Sequence, residues 1–165
     1  MSARRMLLAG AALAAVFACS DPVHDAEVAA LGPEDPGTPT GPTHRPGQPC
    51  LTCHGDLGPA HTRFAAGGTI YQGDLVTPAS GATVTINDAA GNQVQATTND
   101  AGNFYVPYSD FQPVFPLTPI TVVGSDPNNP ATMITHIGRD ASCASCHFGS
   151  ESSASSPGPI YLLTP

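Results

Sequence analysis

The chain has no lysine, and five arginines are the only strongly basic side chains in its 165 residues. Charged residues make up 11% of it, too few for the solvated, self-repelling composition of a disordered protein. Thirteen acids against those five bases give a formal charge of −8. That balance excludes binding to nucleic acid or to an anionic membrane surface by charge. No apolar run is long enough to span a bilayer. No phosphate-binding loop, no Ser/His/Asp order and no basic patch interleaved with aromatics is present. What is abundant is glycine and proline, 17 and 18 residues. That is too many for a helical bundle, and suits a small β domain with many turns, flanked by coil.

The first residues read as an export signal. Arg4 and Arg5 make a short positive region, and residues 6–17 an apolar run of signal-core length. The run ends in Val16-Phe17-Ala18-Cys19, which resembles a lipobox, although Phe17 stands where a small residue is usual. The resemblance implies lipidation of Cys19 after removal of residues 1–18; the alternative is an ordinary signal peptide cleaved near Ala18. Ser20, rather than Asp, follows Cys19. By the sorting pattern of bacterial lipoproteins, that implies the outer membrane. The mature chain would keep Arg45, Arg63 and Arg139 against all thirteen acids, a formal charge of −10. Such a surface serves solubility and also suits a basic redox partner.

Residues 19–45 have no apolar period and read as a disordered, Pro/Gly-rich tether, extended between anchor and domain. Residues 67–138 differ. Short β runs at 69–71, 82–86, 93–98, 104–106, 120–123 and 133–137 are separated by Gly, Asn and Asp turns. The pattern predicts an all-β, antiparallel sandwich, with Asp88 and Asp100 as turn formers. Gly68-Thr69-Ile70-Tyr71, then Pro78, Gly81-Ala82, Val84, Ile86, Gly91, Thr97 and Gly102-Asn103-Phe104, resemble the carboxypeptidase regulatory-like domain. The resemblance covers about 70 residues and implies a prealbumin-like (transthyretin-like) sandwich. It implies no chemistry, because that fold recurs as a passive module.

The chemistry lies in the cysteines. Apart from Cys19 there are four, in Cys50-Leu51-Thr52-Cys53-His54 and Cys143-Ala144-Ser145-Cys146-His147. Both match C-x-x-C-H, the attachment motif of c-type haem. In that motif the thiols form thioethers with the porphyrin, and the adjacent His ligates the iron from the proximal side. Two copies that use every remaining cysteine of an exported chain predict two covalently bound haem c groups, with His54 and His147 as proximal iron ligands. The alternatives are short-loop disulfides, a four-cysteine zinc site or a thioredoxin-like redox pair, but none of them accounts for a histidine after each pair. His61 and His136 are the favoured distal ligands, with Met133 and His44 as alternatives; His24, in the tether, is the weakest candidate.

Residues 46–66 and 139–165 are thus read as coil or short-helix haem-binding segments flanking the sandwich, the second ending in a Ser/Gly/Pro-rich loop. About six strands in an up-and-down order would bring both segments to the same side. The expected function is outer-sphere electron transfer by a dihaem cytochrome held on a membrane by its N-terminal lipid, with redox proteins, other cytochromes among them, as partners. The competing expectations are a dihaem peroxidase, a non-haem binding or adhesion module stapled by its cysteine pairs, and a subunit of an extended multihaem assembly.

Overall fold

A computed structural model describes residues 21–38 and 40–162. The signal segment 1–18 and Cys19 lie outside the described residues. No helix among those described is long and apolar enough to cross a membrane.

The domain is mostly β-sheet, with few and short helices. Strands β1 (Phe64–Tyr71), β4 (Asn103–Pro107) and β7 (Ile160–Tyr161) form one sheet in the order β4-β1-β7. Strands β2 (Thr83–Asn87), β3 (Gln93–Thr97), β5 (Ile120–Val123) and β6 (Ala131–Met133) form the other, in the order β3-β2-β5-β6. All pairings are antiparallel except β1 with β7. One buried cluster draws on both sheets, with Ala66, Ile70, Phe104 and Val106 from the first and Val84, Ile86, Ile120 and Val122 from the second. The architecture is compatible with a small β-sandwich.

The period-two pattern places this core. Val84 and Ile86 are buried while Thr83 and Thr85 are half-buried, and register sets Ile86 between Val94 and Ile120. Ile120 in turn faces Met133, so Met133 completes a cross-strand apolar row. The β2–β3 turn is tied by Asp88, whose carboxylate accepts from the amides of Ala90, Asn92 and Val114 and from the Asn92 side chain. Those bonds, led by the Asn92 side chain, hold the Asp88 carboxyl below its ordinary pKa. Gly81 and Gly102 take the positive φ of 76° and 73° that their turns require.

Four features depart from the sequence reading. First, β1 begins at Phe64 rather than after residue 66, because Phe64 and Ala66 find partners in Pro107 and Val106 across a bulge. Second, the chain does not run up and down through neighbours: β1 pairs with β4, and β2 with β5. Third, the sequence of residues 160–163 suits either packing on a cofactor or an added strand; Ile160 and Tyr161 do add one, but it pairs parallel to Ile70 and Tyr71 in a domain expected to be antiparallel. Fourth, part of the stretch read as coil is helix α1 (Pro22–Ala30), capped by the Asp21 carboxylate on the amides of Val23 and His24. The C-terminal end of α1 is tied back by Arg45, whose guanidinium donates to the carbonyls of Leu31 and Gly32 and pairs with Glu34.

Candidate haem site

Both C-x-x-C-H segments pack on β1. The first forms helix α2 (Cys50–His54), which lies against that strand. It is carried there by the loop before it. Gly47 donates its amide to the Thr69 hydroxyl at 2.7 Å, and that hydroxyl donates to the Asn103 side chain at 2.8 Å. The Asn103 amide group then donates to the carbonyls of Pro42 and His44, at 3.3 and 3.0 Å. Thr69 and Asn103 are register partners on β1 and β4, so one face of the sheet holds residues 42–47 by their backbone.

The second segment is a loop-out in an interrupted edge strand. The Gly67 amide donates to Ala141 at 3.1 Å, and Ser142 makes a parallel bridge to Gly67. The chain then leaves the sheet through a short 3-10 turn, Cys143–Ser145, and returns at β7. Ser142 joins the two segments directly, because its hydroxyl accepts from the Leu51 amide at 3.3 Å.

The glycines Gly67 and Gly68 allow this double docking. A Cβ on Gly67 would meet the Cβ and Sγ of Cys50 at 3.1 and 3.3 Å. One on Gly68 would meet those of Cys143 at 2.7 and 3.1 Å. Successive strand residues point to opposite faces, so the two cysteines close on β1 from its two sides. Consecutive glycines inside a strand mark such a close approach; that was the one sequence signal of this contact.

All four cysteines are free thiols. Burial pushes the Cys50 thiol up to about 11. It pushes Cys143 up to about 12, with Cys50 close enough to add to the rise. Cys50, Cys53 and Cys143 are half-buried, and Cys146 is exposed.

The two motif histidines are held in the same way. His54 Nδ1 lies 2.7 Å from the Thr62 carbonyl oxygen, and His147 Nδ1 lies 2.9 Å from that of Gly158. A carbonyl only accepts, so Nδ1 carries the proton, and in the neutral ring Nε2 keeps the lone pair. The loop behind His54 is fixed by Arg63, which pairs with Asp56 and stacks over the Tyr108 ring, 3.4 Å from its centre. The loop behind His147 is fixed by buried Ser156. Its Oγ lies 2.8 and 2.7 Å from the carbonyls of Cys146 and Phe148, and accepts from the amides of Phe148 and Gly158. His54 also stacks on Phe64, with centroids 4.1 Å apart and planes 8° apart, and Phe64 stacks on Tyr105.

Set against known protein families, curated proteins and solved structures, the chain matches none. The site is therefore read from its own geometry.

A haem takes four iron ligands from its porphyrin, so the protein need supply only one or two. The residues present fit that demand. Each motif offers two thiols one helical turn apart and an imidazole with its Nε2 free. Among the described residues, no three His, Cys, Asp or Glu side chains are arranged to hold a bare metal ion. The four cysteines do not assemble the tetrahedral cluster that structural zinc requires.

The other candidate ligands are scattered. His44 lines a cavity of about 330 Å³ together with Cys50, Cys53, His54 and Phe64. His61 and His136 are exposed. Met133 packs half-buried on the core, in the sheet that does not carry the motifs. His24 is on α1, and its Nε2 is buried without a hydrogen-bond partner. Ser142, Ser156, Thr69 and Asn103 had no signature in the sequence, since hydroxyl and amide side chains in loops and strand ends are ordinary there.

Proposed function

We propose that the protein is an exported, lipid-anchored dihaem c-type cytochrome that transfers electrons by an outer-sphere route to redox partner proteins. The observation that carries this reading is the matched pair His54 and His147. Each follows a C-x-x-C pair, each has Nδ1 donated to a backbone carbonyl, and each keeps Nε2 free for iron. Such anchoring fixes the tautomer and the ring orientation of a ligating histidine.

Cys50 and Cys53 would hold one haem, and Cys143 and Cys146 the other. Each thiol adds across a vinyl C=C: sulfur bonds to the carbon next to the ring, hydrogen goes to the outer carbon, and nothing is oxidised. When bound, the haems supply one-electron chemistry. The chain does the rest. Thr62 and Gly158 orient the imidazoles, while Phe64, Tyr105 and Phe104 shield the first pocket from water. Because Cys50 and Cys143 flank adjacent glycines of one strand, the geometry supports two haems near enough to exchange electrons. The two-sheet architecture and the glycine pattern support a prealbumin-like sandwich as the carrier. The stapled-module alternative gives no role to the histidine that follows each cysteine pair, whereas haem uses both.

The test is a pyridine haemochrome spectrum of full-length protein co-expressed with a c-type maturation system, read against protein concentration. Two c-type haems per chain are expected. A chain that matures without haem would overturn the proposal and leave a β domain of binding function.

A further inference from the structure

We infer that His44 is the second axial ligand of the first haem, opposite His54; the inference rests on the haem reading above. His44 stands six positions before Cys50 in sequence, on the loop held to β1 and β4. Its ring centre lies 5.9 Å from that of His54, with the planes inclined at 39°. Two imidazoles that share one metal through Nε2, at about 2 Å each, place their ring centres roughly 6 Å apart. His44 Nδ1 donates to the Gly41 carbonyl, so its Nε2 keeps the lone pair, as in His54 and His147. Both rings line the cavity that Cys50 and Cys53 also line.

His44 is held there firmly. Asn103 binds the His44 carbonyl, and Asn99 and Asn103 bind that of Pro42, the Asn99 bond at 2.6 Å. Arg45 follows at a φ of 50°, in the left-handed region that non-glycine residues rarely adopt. Its guanidinium ties the loop to Gln48 and to the end of α1. The loop is over-determined, as a ligand-positioning segment should be.

The rivals fit less well. His61 is next to Thr62, whose carbonyl accepts from His54 Nδ1. His61 itself is exposed and does not line the cavity shared by His44 and His54. Met133 belongs to the apolar row of the other sheet. His24 has an unpartnered Nε2, but it does not line the cavity that His44 and His54 share.

The experiment uses the mature full-length holoprotein and its His44→Ala, His44→Met, His24→Ala and His61→Ala variants. Each is read by haemochrome stoichiometry and by low-temperature EPR of the ferric state. In His44→Ala, haem content should stay at the wild-type value while one low-spin signal is replaced by a high-spin one, and added imidazole should restore low spin. His44→Met should keep that haem low-spin with a raised potential, since a His/Met pair favours the reduced iron. His24→Ala and His61→Ala should match wild type. Unchanged low-spin signals in His44→Ala, or the spin change in either other variant, would overturn the assignment and leave the haem reading intact. A wild-type chain that lacks haem would overturn both.

Discussion

At the scale of single residues, the thiols carry a measurable consequence. Cys50 and Cys143 are raised to about 11 and about 12 from an ordinary value of 9.0, chiefly by burial. A group whose folded pKa lies above its unfolded one stabilises the fold in full below the unfolded value and loses that contribution as pH rises through the folded value. The haem-free protein should therefore lose thermal stability between about pH 9 and 12. The haem-loaded protein should not show that loss, because thioethers do not titrate. Maleimide labelling of the haem-free protein at pH 8 should modify Cys146 first and Cys143 last, read by peptide mass analysis. Rapid labelling of Cys143 in the folded chain would contradict its raised thiol pKa.

At the scale of the element, β1 does three jobs. It pairs with β4 along its length, offers its other edge to residues 141–142 and to β7, and accepts a cysteine from each C-x-x-C-H segment at Gly67 and Gly68. Glycine is a poor strand residue in isolation, and its presence here follows from close approach. Gly68→Ala puts a methyl 2.7 Å from the Cys143 Cβ and 3.1 Å from the Phe104 ring. It should cost about 1–3 kcal/mol, the range for overpacking a filled site. Gly67→Ala meets Cys50 at 3.1 and 3.3 Å and the Phe104 carbonyl oxygen at an ordinary 3.5 Å, and should cost less. Thermal or urea unfolding of the two variants gives the ranking, and equal stabilities would mean that the second segment does not dock as described. Element by element, the sequence was a good guide where local pattern decides. The alternation of Val84 and Ile86, the Asp88 turn and the positive φ of Gly102 follow from side chains a few positions apart. Boundaries were poorer: Phe64 joins β1 only because Pro107 and Tyr105 are beside it in space.

At the scale of the whole molecule, the two C-x-x-C-H segments are brought together by docking on one strand, and strand parity plays no part. The Ser142 hydroxyl bonds the Leu51 amide across 91 positions of sequence. Two haems attached there should relax each other magnetically. The ferric EPR signal of the first haem should relax faster in the wild-type protein than in a Cys143→Ser/Cys146→Ser variant that keeps only the first motif. Equal relaxation rates would place the two groups too far apart for fast exchange. The sequence by itself determined the β-rich character of the domain, the turn positions and the two C-x-x-C-H motifs. These depend on residue type at short spacing, and no fold is needed to read them. Only the tertiary structure decided that Thr62 and Gly158 anchor the motif histidines, that Met133 serves the core, and that His44 faces His54. These depend on which backbone carbonyl and which side chain meet across turns and between strands, and a contact of that kind leaves no period or spacing in the chain.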